Sequence, residues 1–372
     1  MPVMFIASAA AVSAFFALMA RRFESHTTTQ ALPKAEKSPL VSIIIPTYNS
    51  EASIGKTLEL VQRSDYPRKE VIVVNDSEDR TPEIAKQYGA NVIQNQKRNG
   101  KGYALNLGNK HAKGELLLFL DSDTELEKNT ISTLIQSLYY HKGRDTATAA
   151  VVPKYTCCNQ NVLPAKMSHL EQQTHQTMIK AQMNLGSILS IRGSCVLMQK
   201  DIFEETGGFS PTLLEDGDFT AKLHKLGYRI KYEPHANVGI HEPESIGEFL
   251  RAKKRYGKGT LFCAMRHKGV YLASRHAALS FYPWFFVLGL LLLFVFTASA
   301  TSLLAISLLV LAAAAVSYSY VAGRKSCPKS AFLAKTISIC FIPVIISAYI
   351  IGVASGVKDK LAGAPELKFE DW

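Results

Sequence analysis

This 372-residue sequence lacks two common glycine-rich phosphate loops. No Gly-x-Gly-x-x-Gly follows the apolar run at residues 41–46, the predicted first strand, which argues against a dinucleotide-dependent hydride carrier. It also contains no Gly-x-x-x-x-Gly-Lys-Ser/Thr, so a P-loop does not hold a nucleotide here. The six cysteines have no framework spacing, and this pattern indicates reduced thiols in the cytoplasm rather than a set of disulfides.

The basic segments lack regular interleaving with stacking aromatics, although the formal net charge is +11. Non-specific binding of single-stranded nucleic acid uses aromatic side chains interleaved with basic ones. The basic residues lie instead beside long apolar stretches, where anionic lipid headgroups would attract them. The sequence therefore predicts no nucleic-acid partner, and it predicts the membrane as a partner.

Charge is absent from long stretches at both ends of the chain. Residues 3–20 are uncharged and are followed at once by Arg21 and Arg22. A secretory signal carries its positive charge before the apolar core, so residues 1–22 are predicted to be an uncleaved N-terminal transmembrane anchor. Its basic flank indicates that the following residues are cytoplasmic. Residues 23–39 are polar and are predicted to be a linker.

The C-terminal part is predicted to contain about three transmembrane helices within residues 279–357. Residues 279–322 are uncharged and long enough for two spans of about twenty residues each, and a third follows a short basic loop. A buried hairpin is the alternative, but these stretches have no amphipathic period. Residues 261–278 are predicted to be an interfacial segment and residues 358–372 a tail, on a side of the membrane that the sequence leaves open. The expected location is integral to the membrane.

Residues 40–260 are predicted to be a cytoplasmic α/β domain. Continuous apolar strands alternate with helical patterns, which indicates a mostly parallel sheet flanked by helices on both faces. Helical patterns cover residues 53–63 and 101–111, and another begins near Thr81, which is a candidate cap. The predicted strands are residues 41–46, 71–74, 92–94, 116–120 and 195–198.

Polar residues follow three of these strands. The segments are Pro46-Thr47-Tyr48-Asn49, Asn75-Asp76 and Asp121-Ser122-Asp123. In parallel sheets the carboxyl ends of the strands meet in one crevice where ligands bind. A lone Asp-x-Asp is also an ordinary turn, but two carboxylates suit a hard divalent cation. A diphosphate could approach them only with such a cation between, because like charges repel.

Six motifs occur in order along the domain: VSIIIPTYN at 41–49, VIVVNDSEDRT at 71–81, NGKGYALNLG at 99–108, Asp121-Ser122-Asp123, GGF at 207–209 and LED at 214–216. Together they resemble family 2 glycosyltransferases, which are inverting enzymes with the GT-A fold. The resemblance covers residues 40–260. It implies a Rossmann-like, mostly parallel sheet and the transfer of a sugar from a nucleotide-sugar donor.

The resemblance also implies roles for individual residues on the donor side. Pro46, Tyr48, Asn49 and Asp76 match positions that hold the base and ribose of the nucleotide. Asp121 matches a residue that helps to hold the ribose or a metal-bound water.

The metal and the base are implied in the same way. Asp121 and Asp123 match the metal motif for Mg or Mn, His241 matches a histidine that often completes the metal site, and Asp216 matches the catalytic base. Two alternatives stay open: Asp216 could cap a helix and complement its dipole, and His241 could be a structural histidine with His235 competing for its role.

Two basic residues are further candidates for donor binding. Lys101 could contact the diphosphate, or it could belong to a solvated loop. Arg255 could bind the donor diphosphate or a phosphorylated acceptor, or it could face lipid headgroups below the bilayer. The segment 192–194 (Arg-Gly-Ser) could form a loop beside the sugar, where backbone must come close, or a plain turn.

The chain departs from processive relatives, which carry Gln-x-x-Arg-Trp. Ala252 replaces the glutamine and Arg255-Tyr256 replaces Arg-Trp, so the tryptophan that would stack on an acceptor sugar is absent. The resulting expectation is a membrane-bound inverting glycosyltransferase with a UDP-sugar as the favoured donor and a lipid-linked or saccharide acceptor. A processive polysaccharide synthase is one alternative. A non-catalytic membrane adaptor with a sugar-nucleotide-binding fold is another.

Overall fold

The computed structural model describes residues 38–95, 99–183, 186–188 and 191–272. The predicted anchor at 1–22 and the predicted spans within 279–357 lie outside these residues. Within the described part, no helix combines the length and the apolar composition that a bilayer crossing requires.

A single sheet of eight strands organises the described residues. The strands are β1 (Val41–Thr47), β2 (Lys69–Asn75), β3 (Asn91–Gln94), β4 (Leu116–Leu120), β5 (Glu125–Leu126), β6 (Thr148–Cys157), β7 (Cys195–Gln199) and β8 (Arg229–Ile240). The helices are α1 (Ile54–Gln62), α2 (Thr81–Gln87), α3 (Lys101–His111), α4 (Thr130–Lys142), α5 (Leu163–Met183), α6 (Lys200–Glu205), α7 (Glu215–Lys225) and α8 (Ile246–Leu272).

The strand order is β3-β2-β1-β4-β7-β6-β8-β5. The first four strands in this order pair in parallel, as predicted. β7 pairs antiparallel with both β4 and β6, and β5 pairs antiparallel with β8. The sheet is therefore mixed rather than simply parallel, and its α/β class is confirmed.

Both faces of the sheet are covered, which explains why its strands are continuously apolar. Along β1, Ile43 and Ile45 pack into the core beneath α1, α2 and α4, while Ile44 packs on the opposite face beneath α3. Successive side chains of a strand point to opposite faces, so a buried strand needs apolar residues at every position. Gly108 lets α3 approach closely, because a Cβ there would collide with Ile44.

A cluster of phenylalanines connects the sheet to the site. Phe119 of β4 contacts Phe203 and Phe209, with ring centroids 4.9 and 5.1 Å apart. Phe209 in turn lies 4.6 Å from Phe219 of α7. This packing holds α7, and the acids at its start, against β4, the strand that Asp121 follows.

One element boundary differs from the sequence expectation. The residue at the N-cap of α2 is Arg80, and Thr81 is already helical, so the prediction of Thr81 as the cap is wrong. The Thr81 hydroxyl instead donates to Asp79 at 2.9 Å.

The last described helix, α8, runs from Ile246 to Leu272 and so crosses residue 260, where the sequence predicts the end of the domain.

Candidate active site

An open cleft of about 800 Å³ lies where β1, β2 and β4 end. It brings together most of the residues predicted from the sequence: Pro46, Tyr48, Asp76, Lys101, Asp121, Asp123, Asp216, His241 and Arg255. Asn49 is not among the described residues that line the cleft. Its backbone has a φ of 51°, in the left-handed region that asparagine tolerates better than most residues.

The acidic loop after β4 is held in place by three contacts. The Asp121 N–H donates to the Ser194 carbonyl at 3.0 Å. The Ser122 hydroxyl lies 2.9 Å from that of Ser50, and the Ser122 carbonyl accepts a hydrogen bond from Thr57 at 2.9 Å. The loop is therefore fixed to α1 on one side and to the strand entering β7 on the other.

Lys101 lies between the acidic groups of the cleft. Its ammonium is 2.6 Å from Asp121 Oδ1 and 3.6 Å from Glu215 Oε1, and it donates to the Gly193 carbonyl at 3.4 Å. Burial alone would lower the pKa of Lys101, but the charges of Asp121 and Glu215 outweigh it and raise that pKa above its usual range. Lys101 is therefore a fixed positive charge at the centre of the cleft.

Two carboxyl groups near Lys101 have raised pKa values. Desolvation, and then the charge of Asp121, raise the pKa of Asp123. Burial, opposed by Lys101 and reinforced by Asp216, raises the pKa of Glu215 to about 7. In both groups burial is the largest cause, and a neighbouring carboxylate adds to it.

The oxygens of Asp121 and Asp123 suit a hard divalent cation such as Mg²⁺ or Mn²⁺, which prefers carboxylate ligands. Asp121 lies close enough to Asp123 for its charge to add to the rise in the pKa of Asp123, so the two carboxylates are near neighbours. The residues present therefore fit a divalent cation at this loop.

Asp216 lies in the first turn of α7 and faces the same cleft. Its Oδ2 accepts from the Gly193 N–H at 3.1 Å and its Oδ1 from the Gly217 N–H at 2.7 Å. Leu214 occupies the N-cap, so Asp216 is not the N-cap residue itself, but its place in the first turn and its bond from the Gly217 N–H complement the helix dipole as the alternative predicted. A Cβ at Gly193 would lie 3.3 Å from that of Asp216, so a glycine allows this close approach.

The loop that carries Gly193 is held in place by contacts with β6 and with the residues after β8. The buried Tyr155 hydroxyl lies 2.7 Å from the Cys195 carbonyl and 3.0 Å from the Arg192 carbonyl, and it can donate to either. The Arg192 guanidinium pairs with Glu242 at 3.2 Å. Tyr155, Arg192 and Glu242 thereby fix the backbone N–H that orients Asp216.

His241 faces the cleft, whereas His235 does not line it. The His241 Nε2 lies 3.0 Å from Glu125 Oε1, which also accepts an ion pair from Lys56 at 2.8 Å. His241 therefore has a carboxylate partner other than Asp121 and Asp123.

The far wall of the cleft is the first part of α8. The Ser245 hydroxyl accepts from the Glu248 N–H at 3.2 Å, and the Glu248 carboxylate accepts from the Glu244 N–H at 3.1 Å, which caps the helix. Arg255 and Tyr256 lie further along α8 and both line the cleft.

Three residues of this site were not selected from the sequence. Glu215 gave a signal, because it stands beside Asp216, but its burial could not be read from the chain. Tyr155 and Glu242 gave none, since each looks like an ordinary residue in or after a strand.

Comparison with known proteins identifies the first part of the domain. Residues 42–207 match the family model described as Glycosyl transferase family 2. The poly-beta-1,6-N-acetyl-D-glucosamine synthase of Staphylococcus epidermidis is 29% identical over 226 residues, which cover 59% of this chain and 54% of that protein. The probable glycosyltransferase YdaM of Bacillus subtilis is 30% identical over 242 residues, 61% of this chain and 57% of that protein. The chain thus spans little more than half the length of these curated relatives.

One solved structure covers nearly all of the chain. It is the mannosyltransferase PcManGT from Pyrobaculum calidifontis in complex with GDP-Man and Mn²⁺, with a TM-score of 0.62 and 20% identity. The match covers 96% of this chain and 98% of that one. At this identity the likeness shows a shared fold.

Proposed function

Because residues 42–207 match the family model described as Glycosyl transferase family 2, we propose that the chain is an inverting, divalent-cation-dependent glycosyltransferase. It moves a sugar from a nucleotide-sugar donor to a lipid-linked or saccharide acceptor. One observation carries this proposal: Asp121, Asp123 and Asp216 line the same cleft, with Lys101 between them. Placement of these acids on separate surfaces would have left the reaction without a site.

We assign the donor to the side of the cleft lined by Pro46, Tyr48 and Asp76, which would contact the base and ribose. Lys101 also lines the cleft, 2.6 Å from Asp121, and would pair with a phosphate of the donor. Asp121 and Asp123 would hold Mg²⁺ or Mn²⁺, with His241 as a further candidate ligand. When bound, the cation would stabilise the negative charge on the departing diphosphate as a Lewis acid.

Asp216 is the proposed general base. It accepts the proton of the acceptor hydroxyl while that oxygen attacks the anomeric carbon and the bond from this carbon to the diphosphate breaks. Attack from the face opposite to the leaving group inverts the configuration. The Gly193 and Gly217 N–H groups hold the carboxylate in one orientation, and such a base contributes about 10² to 10⁴ in rate.

The test is release of nucleoside diphosphate from UDP- and GDP-sugars, measured with Mn²⁺ and with saccharides or membrane lipid extract as acceptors. Asp216→Asn should lower transfer by at least about 10², because the base is removed, while donor binding changes little. The control is Asp201→Asn, an exposed acid in the first turn of α6 outside the cleft, which should leave transfer unchanged. Equal loss of donor binding and transfer in Asp216→Asn would instead indicate a structural role.

Processive synthesis is a second candidate, since one relative is named as a polysaccharide synthase. Tyr256 stands where processive relatives carry tryptophan, and it lines the cleft. Mass spectrometry of the products separates the two: one added sugar supports single transfer, and a ladder of lengths supports polymerisation. No turnover with any donor would favour a non-catalytic adaptor.

We further propose that the chain is integral to the membrane through residues 1–22 and 279–357, with the catalytic domain in the cytoplasm. Their uncharged stretches support this. Alkaline carbonate extraction of membranes from the expressing cells should leave the full chain in the pellet, and its release into the supernatant would contradict the anchor.

A further inference from the structure

A cluster outside the proposed catalytic acids combines three different metal-ligating side chains. Glu125 lies on β5, Cys158 directly follows β6, and His241 directly follows β8. We call these three residues the edge cluster. Each offers one ligand atom, and these atoms all lie within 4.8 Å of one another.

The register of the strands brings these three residues together. In the parallel pair β6 and β8, Cys157 is opposite Ile240, so the next residue of each strand, Cys158 and His241, leaves the sheet at the same place. The Cys158 N–H donates to the Ile240 carbonyl at 2.9 Å, which keeps the two chains together past the strand ends. β5 pairs on the other side of β8 and brings Glu125 beside them.

Two contacts aim the side chains at a common point. His241 Nε2 is 3.0 Å from Glu125 Oε1. The Cys158 Sγ lies over Gly239, where any Cβ would collide with it, so the glycine leaves space for the sulfur beside β8. The thiol is exposed and therefore accessible to an ion from solution.

The ligand chemistry differs from that of the acidic loop. Mg²⁺ and Mn²⁺ prefer oxygen, whereas a thiolate and an imidazole together suit a borderline-soft ion such as Zn²⁺. Three protein ligands with a fourth position open to water is a common zinc arrangement. The ion pair of Lys56 with Glu125 would have to open, which costs little because Lys56 is 61% exposed.

We propose that Glu125, Cys158 and His241 form a binding site for a Zn²⁺-class ion, distinct from the oxygen site at Asp121 and Asp123. His241 also lines the cleft, so an ion bound at the edge cluster takes this imidazole away from the donor. Occupancy of the edge cluster therefore opposes transfer. The metal site itself does not depend on the proposed function.

The test uses the full chain with Co²⁺ as a spectroscopic probe, because a cobalt–thiolate bond gives an intense near-ultraviolet charge-transfer band. The band should appear in the wild type, disappear on addition of Zn²⁺, and be absent from Cys158→Ser. The matched control is Cys157→Ser, the adjacent residue, whose buried thiol donates to Asn159 at 3.3 Å. It should keep the band.

A second readout is Zn²⁺ affinity by chelator competition, which Cys158→Ser should weaken at least about tenfold. Absence of the band from the wild type, or its persistence in Cys158→Ser, would overturn the proposal. A band that instead vanishes in Cys263→Ser would assign the thiolate to Asp218, Cys263 and His267, the other metal-capable group in the described residues.

Transfer assays distinguish this proposal from the function. Zn²⁺ should inhibit Mn²⁺-supported transfer by the wild type, and Cys158→Ser should keep basal activity and resist inhibition. If no transfer is found with any donor, the cobalt band still decides the metal site.

Discussion

Replacing Lys101 by methionine removes the one cation that the described residues place between Asp121 and Glu215. Breaking a buried ion pair costs about 3 to 5 kcal/mol, because the partner charge is left uncompensated. The side chains of Lys101 and Asp121 are 19% and 25% exposed, so we expect the lower end, about 3 kcal/mol. For a domain of this size about 1 kcal/mol shifts the unfolding midpoint by about 2 to 4 °C, which gives a drop of about 6 to 12 °C.

The matched control is Lys56→Met. Lys56 makes an ion pair of similar length, 2.8 Å, but is 61% exposed and screened by solvent, so its loss should shift the midpoint far less than the loss of Lys101. The assay is thermal unfolding of the purified full chain with and without Mn²⁺. Mn²⁺ at about 100 times its dissociation constant adds about 2.7 kcal/mol, which should restore most of the stability of Lys101→Met. An equal midpoint shift in both variants, or no rescue by Mn²⁺, would refute the view that Lys101 neutralises the metal-binding acids.

Three further results are expected. Burial raises the pKa of Glu215 from about 4.5 to about 7, so between these pH values the folded state binds more protons than the unfolded state. The free energy of unfolding should therefore fall as pH rises through this window. Glu215→Gln should flatten that part of a plot of unfolding midpoint against pH. Tyr155→Phe should lower kcat about tenfold with little change in donor KM, because the Gly193 loop loses the hydrogen bond that holds it. The control is Tyr228→Phe, which removes a hydroxyl bonded to Glu205 outside the cleft and should leave kcat unchanged. Asp123→Ala should abolish the Mn²⁺ dependence of donor binding in a titration, and an unchanged dependence would contradict its role as a ligand.

The local elements of the fold were predictable because their signals are local. β1, β2 and β4 are continuous apolar runs, and α3 has the predicted bounds. The direction of β7 was not predictable, because a strand buried on both faces has the same composition whichever way it runs. The cap of α2 was misplaced by one residue, since Thr81 bonds Asp79 rather than the helix N–H groups.

The site divides in the same way. Short motifs, one after β4 and one at the start of α7, identified Asp121, Asp123 and Asp216, and the structure brings all three into one cleft. Tyr155 and Glu242 act through tertiary contacts with a loop that is distant in sequence. The residues next to them in the sequence give no sign of such contacts. Asn49 has the right sequence context, but it does not line the cleft.

The antiparallel pairing of β4 with β7 has a consequence for how this architecture could diversify. It joins the end of one strand to the beginning of another, so Asp121 and Ser194 are neighbours although the chain between them forms several other elements. Length changes within residues 160–183 would leave this pairing unchanged, together with the Arg192-Gly193 loop that orients Asp216. Acceptor choice and reaction chemistry would then be separable traits, and exchange of residues 160–183 between homologues would test this.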